Sequence, residues 1–281
     1  KHLLVMAFAI LTIGCGEKDS DGVNLDELGE REGVVYLKLS NTPYTGKGFS
    51  FHENGQRASE LTFKEGKRDG LVLHWHANGQ KKAEVNFKDG KQHGDVRGWH
   101  ENGQKKSEET WKDGKQHGLA HVYYENGQME QEANWKDGKG NGLVTDWYED
   151  GQKKAEGNWK DGKQEGPSAC WYENGQKKEV ANWKNDERDG THSSWHKNGQ
   201  KMENATYKKG KPDGHSVAWY ENGQKENESN WEDGKMEGLA IFWHKNGKKM
   251  AQGTAKGGKS ISRQFWNSKG EEVDSMEKAK Q

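Results

Sequence analysis

The sequence predicts an all-β protein, an elongated open antiparallel β-meander or solenoid of tandem 24-residue β-hairpin repeats. Glycine returns with that period at Gly55, Gly79, Gly103, Gly127, Gly151, Gly175, Gly199, Gly223 and Gly247, each after Asn or, once, Asp150. Two more glycine series keep the same step, one from Gly46 to Gly238 and one from Gly66 to Gly258 that skips at Asp186. Aromatic residues fill two further columns. One holds Phe51, Trp75, Trp99, Tyr123, Trp147, Trp171, Trp195, Trp219 and Trp243; the other runs from Phe63, Phe87 and Trp111 to Trp231. A fixed period of this size marks an array whose units cannot bury a face alone.

Composition supports a thin architecture. Only 29% of the 281 residues are apolar, against roughly 45–50% in typical domains on a count that includes Gly, so a large globular core is excluded. The 13 tryptophans argue equally against disorder, which is poor in aromatics. With 44 Lys+Arg against 45 Asp+Glu, and lysine pairs such as Lys105-Lys106 followed closely by Glu108, there is no unbalanced cationic track for nucleic acid.

The elements follow in chain order. Leu3 to Ile13 is an apolar run behind Lys1 and His2, too short for the ~20 residues of a bilayer span but of signal-peptide length. Leu11-Thr12-Ile13-Gly14-Cys15 resembles a bacterial lipobox, which makes residues 1–15 a signal peptide, Cys15 the lipidation site and 16–33 a polar tether. Residues 34–270 form the array, about nine repeats plus a degraded terminal copy, and 271–281 a polar tail. Within a repeat, Asn-Gly and Asp-Gly separate runs of about ten residues, the pattern of hairpin turns. The second strand alternates, with Ala155, Gly157 and Trp159 on one side and Glu156 and Asn158 on the other. A three-residue loop Glu101-Asn102-Gly103 pairs Trp99 with Lys105 and is expected to put Trp99 and Trp111 on one face. Keeping the repeats in register then requires the Asp113-Gly114 turn to take in Lys115.

The unit from Trp147 to Gly166, Trp-Tyr-Glu-Asp-Gly-Gln-Lys-Lys-Ala-Glu-Gly-Asn-Trp-Lys-Asp-Gly-Lys-Gln-Glu-Gly, resembles the MORN-variant repeat of bacterial proteins labelled YwqK-family antitoxins. Pro43-Tyr44-Thr45-Gly46 is similar to the start common in that family. The resemblance implies an open β-meander with a non-enzymatic binding role. Its antitoxin label implies the cytoplasm, whereas the lipobox at Cys15 points to the cell envelope.

No chemistry stands apart from the repeat. Equivalent side chains in successive hairpins are roughly 10 Å apart, so the column shared by His52, His76, His100, Tyr124, Tyr148, Tyr172, His196, Tyr220 and His244 cannot chelate one ion. His93 and His117 occupy a slot filled elsewhere by Asp69, Asn141, Glu165, Asp189, Asp213 and Glu237, a polar turn position. Cys170 sits in a mixed strand column. The sequence therefore predicts no enzyme, no cofactor and no metal. The expected function is a scaffold for protein–protein interaction at the cell envelope, on the outer membrane or cell surface, touching the membrane only through its lipid. Trp75, Trp99, Tyr123, Trp147, Trp171, Trp195, Trp219 and Trp243 are the expected aromatic binding face. Two alternatives remain open: an antitoxin or immunity protein with a toxin partner, and a binder of cell-wall glycan.

Overall fold

A computed structural model describes residues 22–280. The array is one sheet of 25 strands, with a separate two-stranded ribbon, Leu28–Arg31 with Val34–Leu37, near its start. From Gly46–Phe51 onward the strands run as a meander in chain order, each antiparallel to the one before. The predicted fold class is therefore observed.

At the Asn-Gly end the expected three-residue loop is present. Trp99 opposes Lys105, His100 N–H donates to the Gln104 carbonyl at 2.9 Å and Gly103 N–H to that of His100 at 3.0 Å. Gly103 has φ +84°, a left-handed conformation that glycine adopts without steric cost. The Asp-Gly turn differs from expectation. Lys112 opposes Lys115 directly, leaving only Asp113 and Gly114 between them, at φ +50° and +81°, as in a two-residue type I′ turn. The surplus residues are absorbed inside the strand instead. Trp135 opposes Gly140 while Ala133 opposes Val144, so Asn141, Gly142 and Leu143 face Asn134 alone.

A second irregularity overturns the one-faced aromatic sheet. Trp99 opposes Lys105 but Gly98 opposes Ser107, so Lys106 is an extra, bulged residue. Beyond it Val96 opposes Glu109 and Gly94 opposes Trp111. Because neighbours in a strand point to opposite sides, Trp111 shares a side with Val96 and Gly98, and Trp99 lies on the other. The two aromatic columns thus occupy opposite faces. One, the alanine face, buries Ala120, Ala133, Ala181 and Ala205 beside the Trp111 column. The other, the charged face, carries the Trp99 column with Glu84, Arg97 and Glu108.

Both ends are built differently from the expected tether and tail. Gly22–Asn24 pairs in parallel with the first array strand, and Leu25, Leu28 and Val35 pack on buried Leu61, Phe63 and Val72. A Cβ on Gly48 would lie 2.5 Å from Leu25 Cδ2, so glycine there admits the cap where later repeats have Val72 or Ala120. At the far end Glu272–Val273 pairs with the last long strand, and the short helix Met276–Ala279 follows, with Ala279 fully buried. Terminal repeats need such covers because an array otherwise ends in an unpaired apolar face. The signal peptide and Cys15 lie outside the described residues.

Candidate interaction surface

On the charged face five rings of the predicted binding column, Trp99, Tyr123, Trp171, Trp219 and Trp243, each lie under a lysine of the repeat before. Lys81 Nζ sits 5.2 Å from the Trp99 ring centre, Lys153 5.6 Å from Trp171 and Lys225 5.5 Å from Trp243, distances at which an ammonium is attracted to the ring quadrupole. The same lysines bond the glutamate three residues on, Lys153 to Glu156 at 2.7 Å and Lys105 to Glu108 at 2.9 Å. The rings are half-buried, and among the described residues the indole N–H groups of Trp75, Trp99, Trp147, Trp171, Trp195, Trp219 and Trp243 meet no protein acceptor. On the alanine face, by contrast, Trp111 Nε1–H donates to Glu109 at 2.9 Å and Trp183 Nε1–H to Ser168 Oγ at 2.8 Å.

The edges explain the columns that are not apolar. The His/Tyr slot is a donor position. Tyr124 O–H donates to the Trp147 carbonyl at 2.7 Å and Tyr172 O–H to that of Trp195 at 2.8 Å, while His100 Nε2 lies 2.8 Å from the Tyr123 carbonyl. Phenol and imidazole are interchangeable because each presents a donor at the same reach into the next repeat. Beside it the turn asparagine accepts from its own loop and donates onward. Asn102 Oδ1 takes the Gln104 N–H at 2.9 Å, and Asn102 Nδ2 donates to the Glu125 carbonyl at 2.8 Å. Asp150 has no donor for this second bond. Asp150→Asn is therefore expected to raise stability by about 0.5–1.5 kcal/mol, read as a higher denaturant midpoint; an unchanged midpoint would show that the tie carries no net energy.

At the other edge the polar turn slot staples successive turns. Asp69 Oδ2 accepts the Asp89 N–H at 3.1 Å, Glu165 Oε2 that of Asn185 at 3.0 Å and Glu237 Oε2 that of Gly257 at 2.7 Å. His93 and His117 stand in this slot with Nδ1 3.4 and 3.6 Å from the Asp113 and Asp137 carboxylates. Among the described residues no group of three or more His, Cys, Asp or Glu is arranged to hold a metal ion. Cys170 is half-buried, and desolvation by that burial pushes its thiol pKa up, away from the thiolate a nucleophile needs.

Two successive repeats break the charge pattern, and sequence reasoning missed them. Glu60, Glu84, Glu108, Glu132, Glu156 and Glu228 share one charged-face column, but that column holds Val180 and Asn204 in between. There the glutamate stands one residue earlier, as Glu179 and Glu203, and a one-residue displacement carries a side chain through the sheet. On the alanine face Glu179 meets Arg188 at 2.6 Å and His192 Nε2 at 3.1 Å, and His192 Nδ1 lies 3.3 Å from Glu203. His192 is 4% exposed and packs edge-on against Tyr207 at 5.8 Å. Its pKa rises to about 9, through its hydrogen bond to Glu179 first and the Glu203 carboxylate beside Nδ1 second, and both carboxylates are held below their ordinary range chiefly by His192. The signal was legible as Lys-Lys-Glu-Val at 177–180 where its neighbour reads Lys-Lys-Ala-Glu at 153–156.

The fold and its surface define a tandem β-hairpin repeat protein, each hairpin tied to the next at both edges. The model of the MORN repeat variant family matches residues 44–65, 68–89, 92–113, 116–137, 141–161, 164–185, 188–209 and 212–233, more than half of the chain, and the chain belongs to that family. The following hairpin, Gly238–Trp243 with Lys249–Lys256, keeps the same register. No curated protein matches. A crystal structure of TcdB2-TccC3-Cdc42 is similar at 12% identity over 80% of this chain and 13% of its own, with a TM-score of 0.19. For one of TcdB2-TccC3 the values are 11% identity, 82%, 18% and 0.17. The chain thus spans only a small part of these relatives, and likeness at such TM-scores carries no argument.

Proposed function

We propose that the chain is a non-enzymatic scaffold that binds a protein partner at the bacterial cell envelope, held there by a lipid on Cys15. The observation that carries this reading is the row of half-buried rings on the charged face, with indole N–H groups left free by the protein and held at a spacing of roughly 10 Å on a rigid sheet. Large aromatics with a polar handle anchor protein interfaces. Ammonium groups over Trp99, Trp171 and Trp243 occupy ring faces that a sugar would stack on, which favours a protein over a glycan. An antitoxin or immunity protein is one case of this reading, with a toxin as the partner.

Photo-crosslinking in intact cells tests it. Leu119 and Leu143 are 49% and 47% exposed and lie on the charged face, two or more residues from the rings. A photoreactive residue at either position, or at Thr191 further along, is expected to give a discrete protein adduct, and absence of adducts at all three would overturn the scaffold. Cys15→Ser is expected to move the chain from the membrane to the soluble fraction; unchanged partitioning would refute the anchor.

A further inference from the structure

The displaced glutamates leave something behind on the charged face. Lys153 and Lys225 are neutralised by Glu156 and Glu228, but the residues three positions beyond Lys177 and Lys201 are Val180 and Asn204. Among the described residues neither lysine meets a carboxylate. Lys201 Nζ lies 5.9 Å from the Trp219 ring centre, and both lysines are exposed. The loop between them carries Lys197 where most repeats have a glutamate. The carboxylates nearest by repeat position, Glu173 and Glu221, sit in the flanking loops. Two repeats thus present the unpaired Lys177 and Lys201, with Lys197 in the loop between them and the free indole N–H groups of Trp195 and Trp219, in a column where Lys81, Lys105, Lys153 and Lys225 are each paired with a glutamate. The charge that would have cancelled them is held on the opposite face by His192 and Arg188.

We infer that this window receives an acidic, extended segment of a protein partner, two of whose carboxylates bond Lys177 and Lys201. This rests on the scaffold reading and gives its partner a chemistry. The two lysines are one repeat apart, roughly 10 Å. A polyproline II segment rises about 3.1 Å per residue with three residues per turn, so carboxylates three residues apart fall on one side at about 9 Å. Spacing and charge both fit such a segment, and the indole donors supply hydrogen bonds to its backbone carbonyls.

The test uses the full chain and a labelled (Glu-Pro-Pro)4 peptide at low ionic strength, with fluorescence anisotropy as the readout. The wild-type chain is expected to bind it, and Lys177→Gln with Lys201→Gln to weaken binding tenfold or more. Val180→Glu with Asn204→Glu is expected to do the same while keeping both lysines, by rebuilding the glutamate column that the other repeats already tolerate. Lys81→Gln with Lys105→Gln, which touches only paired lysines, is expected to leave binding unchanged. No binding by the wild type, equal loss in that control pair, or indifference to the rebuilt column overturns the inference. So does tighter binding to phosphatidylglycerol vesicles than to the peptide. Cellular adducts at Leu119 or Leu143 with none at Thr191, and no peptide binding, would sink the window and leave the scaffold standing; no adducts anywhere would sink both.

Discussion

Leu61→Ala is expected to destabilise the first repeats by about 2–5 kcal/mol, the usual cost of removing a buried leucine side chain and leaving its cavity, while the distant repeats keep their stability. Leu61, Phe63 and Val72 are 6%, 5% and 1% exposed, and they form an apolar cluster of buried residues, covered by Leu25, Leu28, Val35, Tyr44, Val85 and Phe87. Loss of the leucine weakens the seat of the amino-terminal cap. In a repeat array each unit touches only its neighbours, so stability is close to a sum of local terms and the damage stays where it is made. Native-state hydrogen exchange should show faster exchange across Gly46–Phe51, Arg57–Lys64 and Gly70–Trp75, with rates beyond residue 200 unchanged. A uniform rise along the whole chain would mean that the array unfolds as one cooperative unit, and no change at all would remove the cap's role.

How far the sequence reached depends on what the period encodes. A 24-residue repeat of turn dipeptides and rings fixes the hairpins, their order and the three-residue Asn-Gly loop, because each rests on a residue type with a local conformational preference. Asp-Gly is itself a two-residue turn signal, and it was overridden by the demand that Trp99 and Trp111 share a face. That demand failed at Lys106. A bulge is one surplus residue in one strand, and no residue type marks it: the same column holds Lys82, Glu130, Met202 and Met250. Once the bulge is present the rings separate, and the Asp-Gly turn needs no third residue. The His/Tyr column was legible as a shared slot but not as a donor, since the acceptor is a backbone carbonyl of the next repeat. Hydrophobic pattern alone could not place Leu25 and Leu28 in a cap, because their partners Leu61 and Phe63 are more than 30 residues away. On the candidate surface the ring columns are legible because they recur with the period; the displaced glutamates at Glu179 and Glu203 are a departure from the period and carry no repeat signal.

The second large effect is at His192, and it depends on pH in a defined direction. Its pKa is about 9 in the folded chain against an ordinary 6.5, so its contribution is complete below about pH 6.5 and is lost as pH rises through 9. Glu179 and Glu203 are shifted down from 4.5, so theirs is present above that value and lost as pH falls. The repeats around residues 179–207 should therefore be most stable between about pH 4.5 and 6.5 and weaken steadily toward pH 9, by up to ~3 kcal/mol for a shift of this size. His192→Ala should abolish that slope and cost about 3–5 kcal/mol at pH 6, because it leaves Glu203 half-buried without its partner. Replacing the whole group is expected to cost far less. Glu179→Ala, Arg188→Gln, His192→Val and Glu203→Ala together restore the residue types of neighbouring repeats, such as Ala155, Gln164 and Val144, and removing all partners at once leaves no uncompensated charge. Denaturation followed by hydrogen exchange in this segment at pH 6 and pH 9 decides between the outcomes. If the wild-type segment is equally stable at both, His192 is not charged in the folded state and the displaced glutamates are held on the alanine face by Arg188 alone.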